Sequence, residues 1–228
     1  MNRYLKPAVL ATALLFTANA LATELETEAQ QIGYIIGMDI GASLKTQGTD
    51  IDLDALFDAI RATYEGQELA LTPEEAATIR ESFIASRRAK AESERATQAA
   101  ANAAAGDRFL LENRSKEGVI VTDSGLQYKV LEMGEGPRPE ASDTVTVHYR
   151  GTLLSGDEFD SSYDRGEPAT FQLDKVIPGW TEGLQLMPVG SKFVFYIPSD
   201  LAYGPNGGGP IGPNATLVFE VELQDIQE

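Results

Sequence analysis

From about Ser115 onward, apolar side chains recur at every second position. The stretches GLQYKVLEM, DTVTVHYRGTL, ATFQL, SKFVFYIP and ATLVFEVELQDI are each bounded by Gly, Pro, Asp or Ser, and this pattern predicts strands. In TVTVHYRG, Val145, Val147 and Tyr149 share one face, while Thr144, Thr146 and His148 share the other. In the last stretch Leu217, Phe219, Val221 and Leu223 point one way, and Val218, Glu220 and Glu222 the other. A sheet with one apolar and one polar face is antiparallel. PGWTEGLQLM is the one short helix expected between these strands. The expected domain is α+β, an antiparallel sheet curled over one helix. Trp180, the chain's only tryptophan, is directed from that helix into the hollow.

The period changes before Ser115. In EAQQIGYIIGMDIGASL, Gly33, Gly37 and Gly41 recur every four residues, which places them on one stripe of a helix. Each costs about 1 kcal/mol against alanine, and the compensation expected is the close approach of another helix. DLDALFDAIRATY puts Leu53, Leu56, Phe57, Ile60 and Tyr64 on one face behind Asp52 as N-cap. Two such short helices bury too little alone, so they are expected to pack on each other and on a second copy of the chain. LTPEEA then starts a long helix, with Thr72 as N-cap, Pro73 at the first position and Glu75 closing a capping box. Helical composition continues to about Asn113. From Ala85 to Arg108 there is no large apolar side chain, so this part reads as a solvent-bridging spacer with Gly106 as its hinge or break. The expected organisation is residues 1–22, 23–70 (helical dimerisation module), 71–114 (connecting helix) and 115–228 (sheet domain).

The first 22 residues differ from the rest. Arg3 and Lys6 precede the short apolar run AVLATALLF, and Ala20 to Ala22 supply small residues before Thr23. This is the pattern of a cleavable secretory signal, too short for a stable membrane anchor. The chain carries a formal charge of −17, and removing Arg3 and Lys6 takes it to −19. Such acidity disfavours nucleic acid and anionic lipid. There is no cysteine, hence no disulfide, thiolate metal site or lipidated cysteine. The expected location is the bacterial periplasm, with outer-membrane association as a variant.

Elimination narrows the chemistry. The single histidine, His148, lies on the strand face opposite Tyr149, so nucleophile–histidine arrangements lack an inward base. Zinc ligands are missing. The loop GPNGGGPIGP has no lysine and no GK[ST] after it, which excludes a phosphate loop. No metal and no cofactor is expected. Aromatic and aliphatic residues remain: Tyr149, Phe159, Phe171, Val176, Ile177, Trp180, Tyr203 and Phe219.

VTVHYRGTLLSGDEFDSSYDRGEPATFQLDKVIPGWTEGLQLMPVGSKFVFYIPSDLAYG followed by GPIGPNATLVFEVEL resembles the FK506-binding (FKBP) type of peptidyl-prolyl isomerase over residues 120 to 227. IGYIIGMDIG, the long helix and SGLQYKVLEMGEG resemble the macrophage infectivity potentiator (Mip) branch of that family. The resemblance implies the FKBP fold and isomerisation of Xaa–Pro bonds. It also implies a V-shaped homodimer with intertwined N-terminal helices, and inhibition by macrolides of the FK506 and rapamycin class. Carried over by position, Trp180 is the floor under the proline ring, walled by Tyr149, Phe159, Phe171, Val176, Ile177 and Phe219. Tyr203 offers its hydroxyl to a substrate carbonyl. Asp160 is a buried group bonded to the Tyr149 hydroxyl and facing the twisting carbonyl. The Ile177 N–H holds the peptide, and Ile211 touches it from the last loop. Three departures stand out. Ala169 occupies a position that is often aromatic, Gly207 and Gly208 replace bulkier loop residues, and Met38 is alone where Mip dimer cores are methionine-rich. The expected substrates are proline-containing unfolded or exported proteins. The rival reading is a non-catalytic chaperone that holds unfolded clients in the dimer cleft.

Overall fold

The computed structural model describes residues 25–48 and 50–227, so the signal-like segment 1–22 lies outside the described residues. The chain divides into two compact units that meet between Thr72 and Pro73.

The first unit holds α1 (Glu28–Gln47) and α2 (Leu53–Glu65). Thr27 and Gln30 form a capping box at the start of α1, and Gly48 ends it in the left-handed conformation at φ 58°. Asp52 caps α2 by accepting from the Ala55 N–H, as its sequence position predicts. Both helices leave apolar side chains in solvent: Ile35, Met38, Leu53 and Phe57 are each more than half exposed, and no residue of α2 is buried. A Cβ added at Gly33, Gly37 or Gly41 would meet no described atom of this chain within 4 Å. The expected close helix approach is therefore not made within one chain.

The second unit begins with α3 (Pro73–Asn113), 41 residues starting at the predicted proline. Seven strands follow: β1 (Val119–Val121), β2 (Gln127–Glu132), β3 (Thr144–Leu153), β4 (Glu158–Ser161), β5 (Ala169–Gln172), β6 (Lys192–Ile197) and β7 (Leu217–Gln227). They form one antiparallel sheet in the order β1-β2-β6-β7-β3-β4, with β5 also on β3. The single turn α4 (Ser162–Arg165) follows β4, and α5 (Pro178–Leu184) is the predicted short helix. The α+β architecture read from the sequence is the one observed. Val145, Val147, Tyr149, Leu217, Phe219, Val221 and Leu223 are all buried, so the alternation in β3 and β7 maps onto the core face. Between Thr146 and Val147 the β3–β7 register slips by one residue at Gln224. This bulge ends the alternation of β7 without turning its apolar set outward.

The helix α5 lies close against β6. A Cβ at Gly179 would stand 2.4 Å from Ile197 Cγ2, and one at Gly183 would stand 2.6 Å from Phe195 Cε1. These two glycines, one turn apart, give the helix a flat face that fits over two core side chains, both fully buried.

The reading of α3 as a solvent-bridging arm needs correction. Residues 81–98 are exposed, but Ala99, Asn102, Ala103, Gly106, Phe109, Leu110 and Asn113 form a shielded stripe at helical spacing. Asn113 Nδ2 donates to Gln127 Oε1 at 3.0 Å, and Gln127 Nε2 donates to the Leu110 carbonyl at 2.9 Å. Phe109 meets Tyr196 with ring centroids 5.7 Å apart. Gly106 does not hinge or break the helix. It is buried where a Cβ would lie 2.4 Å from Thr216 Oγ1. Apart from Phe109 and Leu110 the stripe consists of small and polar residues, and so hydropathy does not reveal most of it.

Gly183→Ala is expected to cost about 1–3 kcal/mol, the usual penalty of overpacking, measured by urea unfolding. A neutral result would show that α5 can back away from Phe195.

Candidate active site

α5 builds the site. Pro178 at its first position and extended Ile177 before it start the helix without a side-chain cap. Trp180 then lies one residue after Gly179 and is 4% exposed. Three rings meet its indole edge to face: Tyr149 at 5.1 Å and 87°, Phe171 at 5.4 Å and 88°, and Phe219 at 5.1 Å and 78°. Phe159 stands against Phe219 at 5.4 Å and 86°. Such pairs are each worth about 0.5–1.5 kcal/mol beyond area burial, so the rings hold one another in place. Gly151 makes room for the last pair, because a Cβ there would fall 2.6 Å from Phe219 and 2.7 Å from Phe159.

These rings enclose a cavity of about 440 Å³, completed by Asp160, Lys175, Val176, Ile177 and Tyr203. Tyr203 is 42% exposed. The structure thus brings together Tyr149, Phe159, Asp160, Phe171, Val176, Ile177, Trp180, Tyr203 and Phe219. Ile211 is not among the lining residues; it is 6% exposed and packs in the core. The Trp180 indole N–H is buried and has no hydrogen-bond partner among the described residues. His148 accompanies Ser162 instead: its Nδ1 lies 2.9 Å from Ser162 Oγ, and its ring stacks on Tyr163 at 4.7 Å. Ser162 Oγ also accepts from the Tyr149 N–H at 2.8 Å, which steadies β3 where it delivers the Tyr149 ring.

One edge of the cavity is charged. The Tyr149 hydroxyl donates to Asp160 Oδ2 at 2.5 Å, and Arg165 donates through Nη1 to Asp160 Oδ1 at 2.6 Å and through Nη2 to the Tyr149 hydroxyl at 2.8 Å. The Asp160 side chain is 44% exposed, so the expectation of a buried group does not hold. Burial alone would raise its pKa. The hydrogen bonds from Tyr149 and Arg165, together with the Arg165 charge, outweigh that and hold it below its ordinary 3.8. Burial, and then donation to Asp160, pushes the Tyr149 hydroxyl up, against the opposing pull of Arg165. At neutral pH the cavity edge is therefore a fixed carboxylate beside a neutral phenol.

Sequence reasoning missed Arg165, Lys175 and Gly151. Arg165 follows Asp160 by five residues across a strand end and the one-turn α4, which Ser161 caps and Gly166 closes at φ 77°. Only that fold-back points its guanidinium at the carboxylate.

A depressed folded pKa stabilises above the unfolded value, and the contribution disappears as pH falls through the folded value. Arg165→Ala should therefore be less stable than the parent at about pH 7, with a gap kept small by solvent screening. That gap should close toward about pH 2 as Asp160 is protonated in both proteins. Urea unfolding across this range checks the expectation, and an equal gap at both ends would contradict it.

Comparison with known proteins places these features. The family model described as FKBP-type peptidyl-prolyl cis-trans isomerase matches residues 136–224, and that described as the domain amino terminal to FKBP-type peptidyl-prolyl isomerase matches residues 29–130. The chain is 47% identical over 208 residues to "Outer membrane protein MIP" of Legionella longbeachae, covering 91% of this chain and 89% of the relative. It is 38% identical over 229 residues to "Peptidyl-prolyl cis-trans isomerase Mip" of Coxiella burnetii, covering both chains fully. The crystal structure of FkpA from Escherichia coli superposes with a TM-score of 0.72 at 38% identity, covering 89% of this chain and 98% of that one. With the ring-lined cavity, the sheet order and these matches together, the chain belongs to the FKBP-type peptidyl-prolyl cis-trans isomerase family.

Proposed function

We propose that the chain catalyses rotation about Xaa–Pro bonds in the Trp180 cavity, using the activity of its family. The observation that carries this reading is the set of aromatic rings, mutually edge-on around Trp180, enclosing an apolar hollow with one charged edge. Peptide rotation faces a barrier of about 18–20 kcal/mol from amide resonance. It breaks no bond and needs no nucleophile. The twisted amide is less polar at oxygen than the planar one, so a dry pocket binds it in preference to the hydrated ground state. Trp180 underlies the proline ring, and Phe159, Phe171, Val176 and Phe219 wall it. The Ile177 N–H and the Tyr203 hydroxyl hold peptide carbonyls. Asp160, kept ionised by Arg165, presents its charge to the carbon side of the rotating carbonyl, as Tyr149 holds it in place.

NMR exchange on a Leu–Pro peptide tests this reading. The protein should accelerate cis–trans exchange, an FK506-class macrolide should abolish the acceleration, and Asp160→Ala should lower kcat/KM by about tenfold, equivalent to about 1.4 kcal/mol of transition-state binding. A folded protein that leaves exchange at the uncatalysed rate would overturn it.

The uncovered apolar faces of α1 and α2, with exposed Ile79, Phe83 and Ile84 at the start of α3, support a homodimer as the working form. The same faces favour a second activity, the holding of unfolded exported chains. Export itself rests on the signal-like residues 1–22 and agrees with the name of the Legionella relative. Light scattering at micromolar concentration should return the mass of two chains. Removal of residues 23–70 should return one and abolish suppression of client aggregation, whereas Asp160→Ala should leave that suppression intact.

A further inference from the structure

Apart from the burial of Ile211 in the core, the chain between Tyr203 and Thr216 has little to fix its shape. GPNGGGPIGP (Gly204 to Pro213) holds five glycines and three prolines, with positive φ at Gly204, Gly207 and Gly209. Its internal bonds are few. Gly208 and Ile211 exchange a pair of hydrogen bonds at 2.9 Å, and the Gly204 carbonyl accepts from the Asn214 N–H at 2.9 Å and from the Gly207 N–H at 3.4 Å. The remaining polar anchors come from α3, 111 to 115 residues earlier in the chain. Asn102 Nδ2 donates to the Pro213 carbonyl at 2.8 Å, in a half-buried position. Arg95 Nη2 donates to the Asn206 carbonyl at 2.9 Å and to Asn206 Oδ1 at 3.3 Å. Asn214 Nδ2 donates to the Ala99 carbonyl at 3.4 Å, from the single non-glycine residue with positive φ among those described. Gly212 passes so close that a Cβ would lie 2.9 Å from Gln98 Nε2.

This loop is coupled to the cavity by contact. A Cβ at Gly208 would stand 3.0 Å from Tyr203 Cδ1, so the loop backbone presses on the ring that lines the cavity. We infer that the docked half of α3 belongs to the catalytic unit, with Asn102 and Arg95 as positioning residues that hold the 204–216 loop and, through it, Tyr203. The inference rests on the reading of the Trp180 cavity as the isomerase site. Asn102 carries most of the effect, because its bond is shielded whereas that of Arg95 is exposed and screened. The α3 stripe is therefore part of the sheet domain's own loop support. It supplies the rigid wall that a glycine-rich loop lacks, and it lowers the entropy cost of ordering that loop around a peptide.

The test uses the full chain. Asn102→Ala, alone and with Arg95→Ala, is expected to raise KM for Leu–Pro peptides by about three- to tenfold, the factor of one lost hydrogen bond, while kcat changes little. Amide exchange at Gly207 to Gly209 should speed up, and Arg95→Lys should keep most of the parent's behaviour. Repeated in a Tyr203→Ala background, the Asn102→Ala effect should shrink, since the two act through one contact. A lowered melting temperature with unchanged KM, or an undiminished effect in the Tyr203→Ala background, refutes the positioning role alone. A parent protein without isomerase activity, or one whose KM ignores Tyr203→Ala, refutes the site reading beneath it.

Discussion

The close seating of α5 on β6 is the constraint from which the rest follows. Two backbone positions, Gly179 and Gly183, lie against Ile197 and Phe195 at distances that no side chain could occupy. Helix and sheet backbones thereby come near enough for Trp180, between the two glycines, to reach the rings of three different strands. Tyr149 comes from β3, Phe171 from β5 and Phe219 from β7. Move α5 outward by one methyl group and the edge-to-face contacts lose their geometry together. The cavity is therefore a property of packing density, since interiors at crystalline density transmit a small displacement instead of absorbing it.

The charged edge works in the opposite sense. Asp160, Tyr149 and Arg165 close a triangle of hydrogen bonds in a half-exposed setting. Had the carboxylate been buried, desolvation would have favoured its neutral form. Left partly in water and paired, it stays ionised at the margin of an apolar hollow, a medium less screening than water. The site thus combines a dry floor with a hydrated charge, and each depends on the other being kept separate.

How much of this was legible in the sequence differs by element. Period-two alternation located β2, β3, β5, β6 and β7, because a sheet with one wet face writes its geometry into side-chain polarity. Asp52 and Pro73 marked the starts of α2 and α3, because caps are local chemistry. The strand β1, three residues long, and β4, with the polar EFDS sequence, escaped, since neither is long enough to show a period. Aromatic composition picked out most of the cavity. Ile211 packs in the core and outside the cavity lining, a placement that an apolar residue in a glycine-rich loop does not reveal by its sequence position.

What the sequence determined by itself was the set of elements and the aromatic character of the site, both of which arise from residues acting within a few positions of one another. Tertiary structure alone decided which glycines are contact points, that Arg165 turns back onto Asp160, and that one stripe near the end of a polar helix is shielded. Gly106, Gly151, Gly179 and Gly183 look alike in the chain, yet each is required by a neighbour that is distant in sequence or reached only by folding. Asn102 and Arg95 look like solvated helix residues until the loop 111 positions later supplies its carbonyls. Hydropathy records what a side chain avoids. It does not record the partner that a small or polar side chain meets, and that partner exists only once the chain has folded.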